Sequence, residues 1–277
     1  MTTATTTIGD TPAPDATTAA ADTPPAPKEL CLMLARYSAW LVACGATCIR
    51  TEMNVRRIAA AYGMEVQLAI MPRHVHVSVW EGNDSDAVTA IASVDKPAIS
   101  FNKNTRLSQL SWQIADKNIT YAGARQRMQQ IIDDDRQPKA LVLVLVALAN
   151  ASFCRLFGGD PAAMAIVAFA TLAGYYVKQL MLGWHTDMRV VTLVCSFISS
   201  VLGATGLLFS IGTTPTIALA TSVLYLVPGI PFINSFSDML YRHYICAFSR
   251  FSDALVLTCC MSAGLCAGMT LMGVGMF

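Results

Sequence analysis

Charge is scarce in this sequence, and what there is sits at one end. Only 13% of the residues are Asp, Glu, Lys or Arg, against 54% hydrophobic residues and a mean hydropathy of +0.49, whereas a soluble domain carries about 25% charged residues. Of the 19 Lys and Arg, 14 lie in residues 1–139, and only Arg155, Lys178, Arg189, Arg242 and Arg250 follow. Of the 18 Asp and Glu, 14 lie in the same stretch, and only Asp160, Asp187, Asp238 and Asp253 follow. Such depletion excludes a chain that is soluble throughout. With a net charge of +1 there is no basic footprint for nucleic acid either, and no such partner is expected.

Catalytic signatures are missing as well. There is no G-x-S-x-G, P-loop, H-E-x-x-H or dinucleotide fingerprint, so the chain is not expected to be an enzyme. No CxxC occurs among the nine cysteines. Cys31, Cys44 and Cys48 fall in the polar half, and Cys154, Cys195, Cys246, Cys259, Cys260 and Cys266 in or beside apolar runs, where they read as small packing residues. His74 and His76, two apart on one strand face, have no third ligand nearby. Neither a metal nor a cofactor is expected.

What is present is a series of apolar runs. A helix needs about 20 mostly apolar residues to cross about 30 Å of hydrocarbon, and residues 140–157, 162–182, 190–210, 213–231 and 252–275 meet or approach that length. The second run follows a Gly158-Gly159-Asp160-Pro161 turn with Pro at a helix start. Arg136, Lys139, Lys178, Arg189, Arg242 and Arg250 flank one side and Arg155 the other, which places the N-terminal half in the cytoplasm and Phe277 outside. The expected fold is an α-helical polytopic membrane protein with about five transmembrane helices and an N-terminal cytoplasmic α+β domain.

That domain should span 28–139, after a Thr/Ala/Pro-rich tail (1–27) too polar to bury a core and without a signal-peptide pattern. Helical periodicity predicts one long amphipathic helix over 29–62, ended by Gly63. Alternation predicts strands at 65–71 and 74–80, with short strands at 87–94 and 98–102. Helices are predicted at 104–118 and 120–135, the second capped by Thr120. Arg50, Glu52, Arg56 and Arg57 form either a solvated helix face or a docking or substrate-sensing surface. Asp133-Asp134-Asp135 before Arg136 reads as a polar cuff at the membrane boundary.

Three stretches carry a family likeness: ACGATCIRTEMNVRRIAAAYG (43–63), ISFNKNTRLSQLSWQIADKNITYAGARQRMQQI (99–131) and VPGIPFINSFSDMLYRHYICAFSR (227–250). Together they make residues 28–277 resemble the threonine/serine exporter (ThrE) family, in particular its YjjP-like component. The resemblance implies a half-transporter of about five spans that works with a separate small YjjB-like membrane subunit. It further implies export of threonine and serine or of a succinate-like dicarboxylate across the inner membrane.

Within the third stretch, Pro228 and Pro231 lack amide donors and Gly229 admits unusual dihedrals, so a helix must unwind there. Either the break lines a wet cavity, where a half-helix N-terminus faces a carboxylate substrate, or it ends the fourth span and Asn234 to Arg250 lie along the interface. Asp238 is the candidate for proton coupling or for ordering the segment. Arg242 or Arg250 would neutralise it or hold the substrate carboxylate, and Asp253 offers Arg250 a helical ion pair. Asn234, Ser235 and Ser237 are candidates to line a path. Gly264 and Gly268, extended by Gly273 and Gly275, form a small-residue face for packing within the chain, against a second subunit or in a homo-oligomer. The expected function is therefore a subunit of a proton-coupled, alternating-access exporter of small carboxylates. A membrane-anchored ligand sensor or scaffold, or a tethered enzyme acting through 28–139, is the alternative.

Overall fold

The computed structural model describes residues 24–82, 86–94, 99–134 and 138–274. Most of the 1–27 tail, Asp135, Arg136, Gly275 and Phe277, for which expectations are given above, lie outside the described residues.

The N-terminal unit is an α+β domain. Helices α1 (Pro27–Ala43) and α2 (Cys48–Ala61) precede strands β1 (Glu65–Ile70), β2 (His74–Trp80) and β3 (Val88–Ser93), and α3 (Phe101–Ala115) and α4 (Tyr121–Asp133) follow. The strands form one antiparallel sheet in the order β1-β2-β3, with Val77 opposite both Leu68 and Ala90. Alternation drives this register: Val75, Val77 and Val79 of β2 are wholly buried, while the residues between them face outward. Leu30, Leu34, Tyr37 and Leu41 of α1 join them in one core with Ile58, Leu107, Leu110 and Ile131.

Two expectations for this domain are corrected. The helix foreseen over 29–62 is two helices, because Gly45 adopts φ +85°, where L side chains are strained, and Thr47 restarts the chain by capping the Arg50 amide. Of the strand expected at 98–102, the described residues 99–102 are not a strand: Ser100 accepts from the Lys103 amide and opens α3 at Phe101. Thr120 does cap α4, through the Gly123 amide.

Helices α5 (Lys139–Leu156), α6 (Pro161–Gly183), α7 (Met188–Leu208) and α10 (Tyr244–Leu271) are long and apolar enough to cross a membrane. The stretch expected as a span over 213–231 is instead α8 (Pro215–Thr221), a 3-10 turn (Leu224–Leu226) and the start of α9 (Gly229–Leu240), with a bend of 59° at the break. At about 1.5 Å per residue the first part covers only about 18 Å of the roughly 30 Å needed. This is a multi-pass membrane protein with four such helices, or five if the bent pair counts as one.

Helix α7 is the most enclosed of these, packed by α6, α8 and α10. Its buried face is small and polar (Ser196, Ser199, Ser200, Gly203), so backbones approach closely. Gly264 and Gly268 of α10 sit directly on it, and a Cβ at either would collide with the Leu193 carbonyl or with Ser200 Oγ. Those two glycines therefore pack within the chain and do not form the second-subunit face considered above. On the far side, Asp160 caps α6 through the Ala163 amide and also binds Thr213.

Candidate functional site

The break at Pro228 brings the membrane half against the soluble domain. Helix α9 runs to a tight turn at Arg242 (φ +65°), where the His243 amide donates to the Asp238 carbonyl, and the chain returns as α10. Ser235 Oγ donates to the Ala247 carbonyl, tying the two helices together. The pair presents Asn234, Asp238, His243, Cys246 and Arg250 to the α1–α2 turn and to the helix that follows it.

The contacts are mostly to backbone. Asn234 Nδ2 donates to the Gly45 carbonyl (2.9 Å) and an Arg250 guanidinium nitrogen to the Ala46 carbonyl (2.8 Å). The Cys48 amide, first in α2, donates to Asp238 Oδ1 at 2.8 Å. That carboxylate therefore sits at the positive end of a helix whose opening amides lack intrahelical partners. Its other oxygen is 3.0 Å from an Arg250 nitrogen, and Asp238 is wholly buried while the Arg250 side chain is 18% exposed. A buried carboxylate is tolerable only when charge and hydrogen bonds compensate it, and here both do. Glu52 of α2 pairs with Arg56 and lies 3.6 Å from His243 Nε2. The Cys246 thiol donates to the Ile70 carbonyl of β1. Cys48 and Cys246 hydrogen-bond through their thiols, which together with burial raises the Cys48 thiol above its ordinary range.

Beside this joint opens a cleft of about 400 Å³, lined by Gly45, Asp187, Arg189, Asn234, Arg250 and Asp253, among others. Its size falls at the lower end of ligand pockets, roughly 300–1,000 Å³.

Several sequence candidates thus meet. Pro231, Asn234 and Arg250 line the cleft, and Asp238 lies behind Arg250. Arg250 pairs with Asp238, twelve residues earlier, and not with its near neighbour Asp253. Pro228 is buried and Gly229 half-buried, and neither lines the cleft. The helix start there has little to offer an anion: the Gly229 amide donates to Val227, the Phe232 amide to Pro228, and Pro231 has none. Arg242 is exposed at the turn. On the soluble side Glu52 belongs to the joint, whereas Arg50 reaches Asn104 and Arg57 reaches Asn54 and Ser111 within the domain. Asp134 of the acidic cuff binds Arg106. His74 and His76 stack loosely, and no group able to hold a metal occurs among the described residues.

Sequence reasoning missed Cys48, His243, Cys246 and Arg189 as members of this region. Gly45 followed by Thr47 was the available signal, a helix stop and a helix start two residues apart.

This chain belongs to the ThrE family, whose model, described as "Putative threonine/serine exporter", matches residues 32–272. It is similar to a Klebsiella aerogenes protein described as "Probable succinate transporter subunit YjjP", 28% identical over 247 residues, 88% of this chain and 93% of that protein. An Escherichia coli K12 protein of the same description is 29% identical over 222 residues, 79% and 85% of the two chains. No solved structure matches. The chain is thus a multi-pass membrane protein of a transporter family.

Proposed function

We propose that this protein is one subunit of an inner-membrane secondary transporter that exports a small carboxylate, of the threonine/serine or succinate kind. It works by proton-coupled alternating access with a separate small membrane partner. One observation carries the reading: the foreshortened, bent span ends in a buried Asp238–Arg250 pair that grips the soluble domain beside a charged cleft. Transporters place substrates at interrupted helices, because only there does irregular backbone meet water at membrane depth. An ionisable pair at such a place is a functional candidate by default.

The soluble domain faces the cytoplasm in this reading. Arg189 and Arg250 line the cleft on the same side as that domain, which agrees with the side to which positive charge is retained. Substrate enters from the cytoplasm at the cleft, and rearrangement of the bent segment passes it outward.

The test is efflux of preloaded labelled threonine, serine and succinate from cells lacking their own exporters. The chain is expressed with and without a small membrane protein encoded beside it. Efflux that needs both chains and is lost in Asp238→Asn, with the variant still in the membrane, is the expected result. No efflux of any of the three, with both chains in the membrane, overturns the proposal.

A further inference from the structure

Two of the nine cysteines meet where the two halves of the chain join. Cys48 opens α2 on the soluble side, Cys246 lies in the first turn of α10, and both are buried. Their thiols are in hydrogen-bond contact, and the contacts around them hold both backbones in place. Asp238 fixes the Cys48 amide at 2.8 Å, and the Cys246 thiol also reaches the Ile70 carbonyl at 3.2 Å. Arg250, one helical turn after Cys246, holds the carbonyl of Ala46, just before Cys48 in the chain. Packing alone explains a buried cysteine among apolar neighbours, but here each sulfur lies against a sulfur carried by the other half. To join, the two have only to close from contact to a bond of about 2.05 Å.

We propose that Cys48 and Cys246 form a reversible disulfide that clamps the soluble domain to α10 when the surrounding thiol pool is oxidised. The oxidant is a low-molecular-weight disulfide of the glutathione kind. Both sulfurs are shielded, so reaction proceeds through brief local separation of the joint. Cys246 attacks first, since burial and the bond between the thiols keep Cys48 protonated. Its thiolate displaces one small thiolate and becomes a mixed disulfide. Reclosure delivers Cys48, which gives up its proton and attacks the Cys246 sulfur, displacing the second small thiolate. The two small thiolates take up the two protons that the cysteines lose, so one small disulfide is reduced to two thiols as one protein disulfide forms. A reducing pool reverses the exchange. In the oxidised form α9 and α10 are covalently tied to the α1–α2 turn and cannot swing away from it. That this stops export rests on the export reading; the disulfide itself does not.

Full-length wild-type protein in lipid nanodiscs is equilibrated with glutathione over a series of reduced-to-oxidised ratios, alkylated, digested and analysed by mass. A peptide pair joining Cys48 to Cys246 accumulates as the ratio falls and disappears on return to reduced glutathione. The pair is absent in Cys48→Ser and in Cys246→Ser. The proposal is overturned if both cysteines stay reduced in fully oxidised glutathione. It is equally overturned if a mixed disulfide at Cys246 accumulates without passing to Cys48, or if either cysteine links to a different one in comparable yield. In cells treated with a thiol oxidant, efflux by the wild type falls in proportion to the linked fraction and recovers with reductant, whereas the efflux that Cys48→Ser supports does not respond. Linkage with unchanged efflux leaves the disulfide and overturns its control of export. Linkage in nanodiscs with no efflux of any substrate from reduced cells leaves the disulfide and overturns the export reading.

Discussion

Replacing Arg250 by Met keeps most of the side chain's reach and removes its charge, and the consequence can be worked from the joint. Asp238 is wholly buried and has two compensating contacts, the Cys48 amide at 2.8 Å and the Arg250 guanidinium at 3.0 Å. In Arg250→Met one remains. Leaving one member of a buried ion pair uncompensated costs about 3–5 kcal/mol, and the Ala46 carbonyl loses its donor in the same step. Asp238→Asn is milder, about 1.5–3 kcal/mol, because the amide oxygen can still accept from Cys48 and Arg250 keeps the Ala46 carbonyl. The double variant Asp238→Asn/Arg250→Met costs less than the two single losses together, since the residues act on one another.

This loss is local. The pair joins the two halves, so its removal releases the α1–α2 turn from α9 and α10 before either half unfolds. Hydrogen exchange followed by mass spectrometry on the full-length protein in lipid nanodiscs reads it directly. Peptides covering residues 44–52 exchange faster in Arg250→Met by about two orders of magnitude or more, the equivalent of about 3 kcal/mol at tenfold per 1.4 kcal/mol. Peptides over β2, with its buried valines, do not change. Wild-type exchange at 44–52 refutes the reasoning, as does an acceleration spread evenly over both halves.

Gly268→Ala places a methyl group against Ser200 and forces α10 off α7; overpacking of this kind costs about 1–3 kcal/mol, read as a lower melting temperature in detergent. The Asp160 carboxyl is held at about 2, below its usual 3.8, chiefly by the Thr213 and Ala163 amides. A depressed carboxyl contributes stability that is full above its unfolded value and is lost as the pH falls through about 2. Asp160→Ala therefore lowers the melting temperature by a constant amount from about pH 5 to about pH 8, and the difference closes only in strong acid. The Cys48 thiol, raised by its bond to Cys246 and by burial, reacts slowly with a maleimide at neutral pH, because the thiolate is the nucleophile. In Cys246→Ala, which removes that bond, the same thiol is labelled faster, as read by mass on the peptide containing it.

The membrane half was legible because its signal is compositional: long runs without charge admit few other readings. The sheet was legible because β2 alternates without a fault. The division of the first helix was not, since Ala43, Cys44, Ala46 and Cys48 continue the apolar pattern across the break, and periodicity is blind to a backbone dihedral at Gly45. Asp238 and Arg250 were legible as unusual residues, because a lone charge in an apolar stretch is costly wherever it lies. Their partners were not. Spacing offered Arg250 the nearby Asp253, while the turn at Arg242 folds α9 back on α10 and delivers Asp238. The receiving groups on the soluble side are largely main-chain atoms at Gly45, Ala46 and Cys48, which no residue type announces.

That use of backbone bears on what the soluble domain is for. A tether needs only a covalent link, and the chain already has one through residues 134–139. Here the membrane half spends an asparagine, an arginine and a buried carboxylate on a second attachment, far from the link in sequence. All three belong to α9 and α10, the helices on either side of the Arg242 turn, and none to α5, which follows the link directly. Any change in the angle between α8 and α9 must therefore either carry the α1–α2 turn with it or break these contacts. The cleft lies along the same seam, with Gly45 and Asn234 in its wall, so a ligand there touches both bodies at once. A ligand that contacts both sides of a joint binds one angle of that joint better than another, which is the only way it can shift the equilibrium between them. In the proposed mechanism the soluble domain is thus one wall of the candidate site as well as a body attached to it.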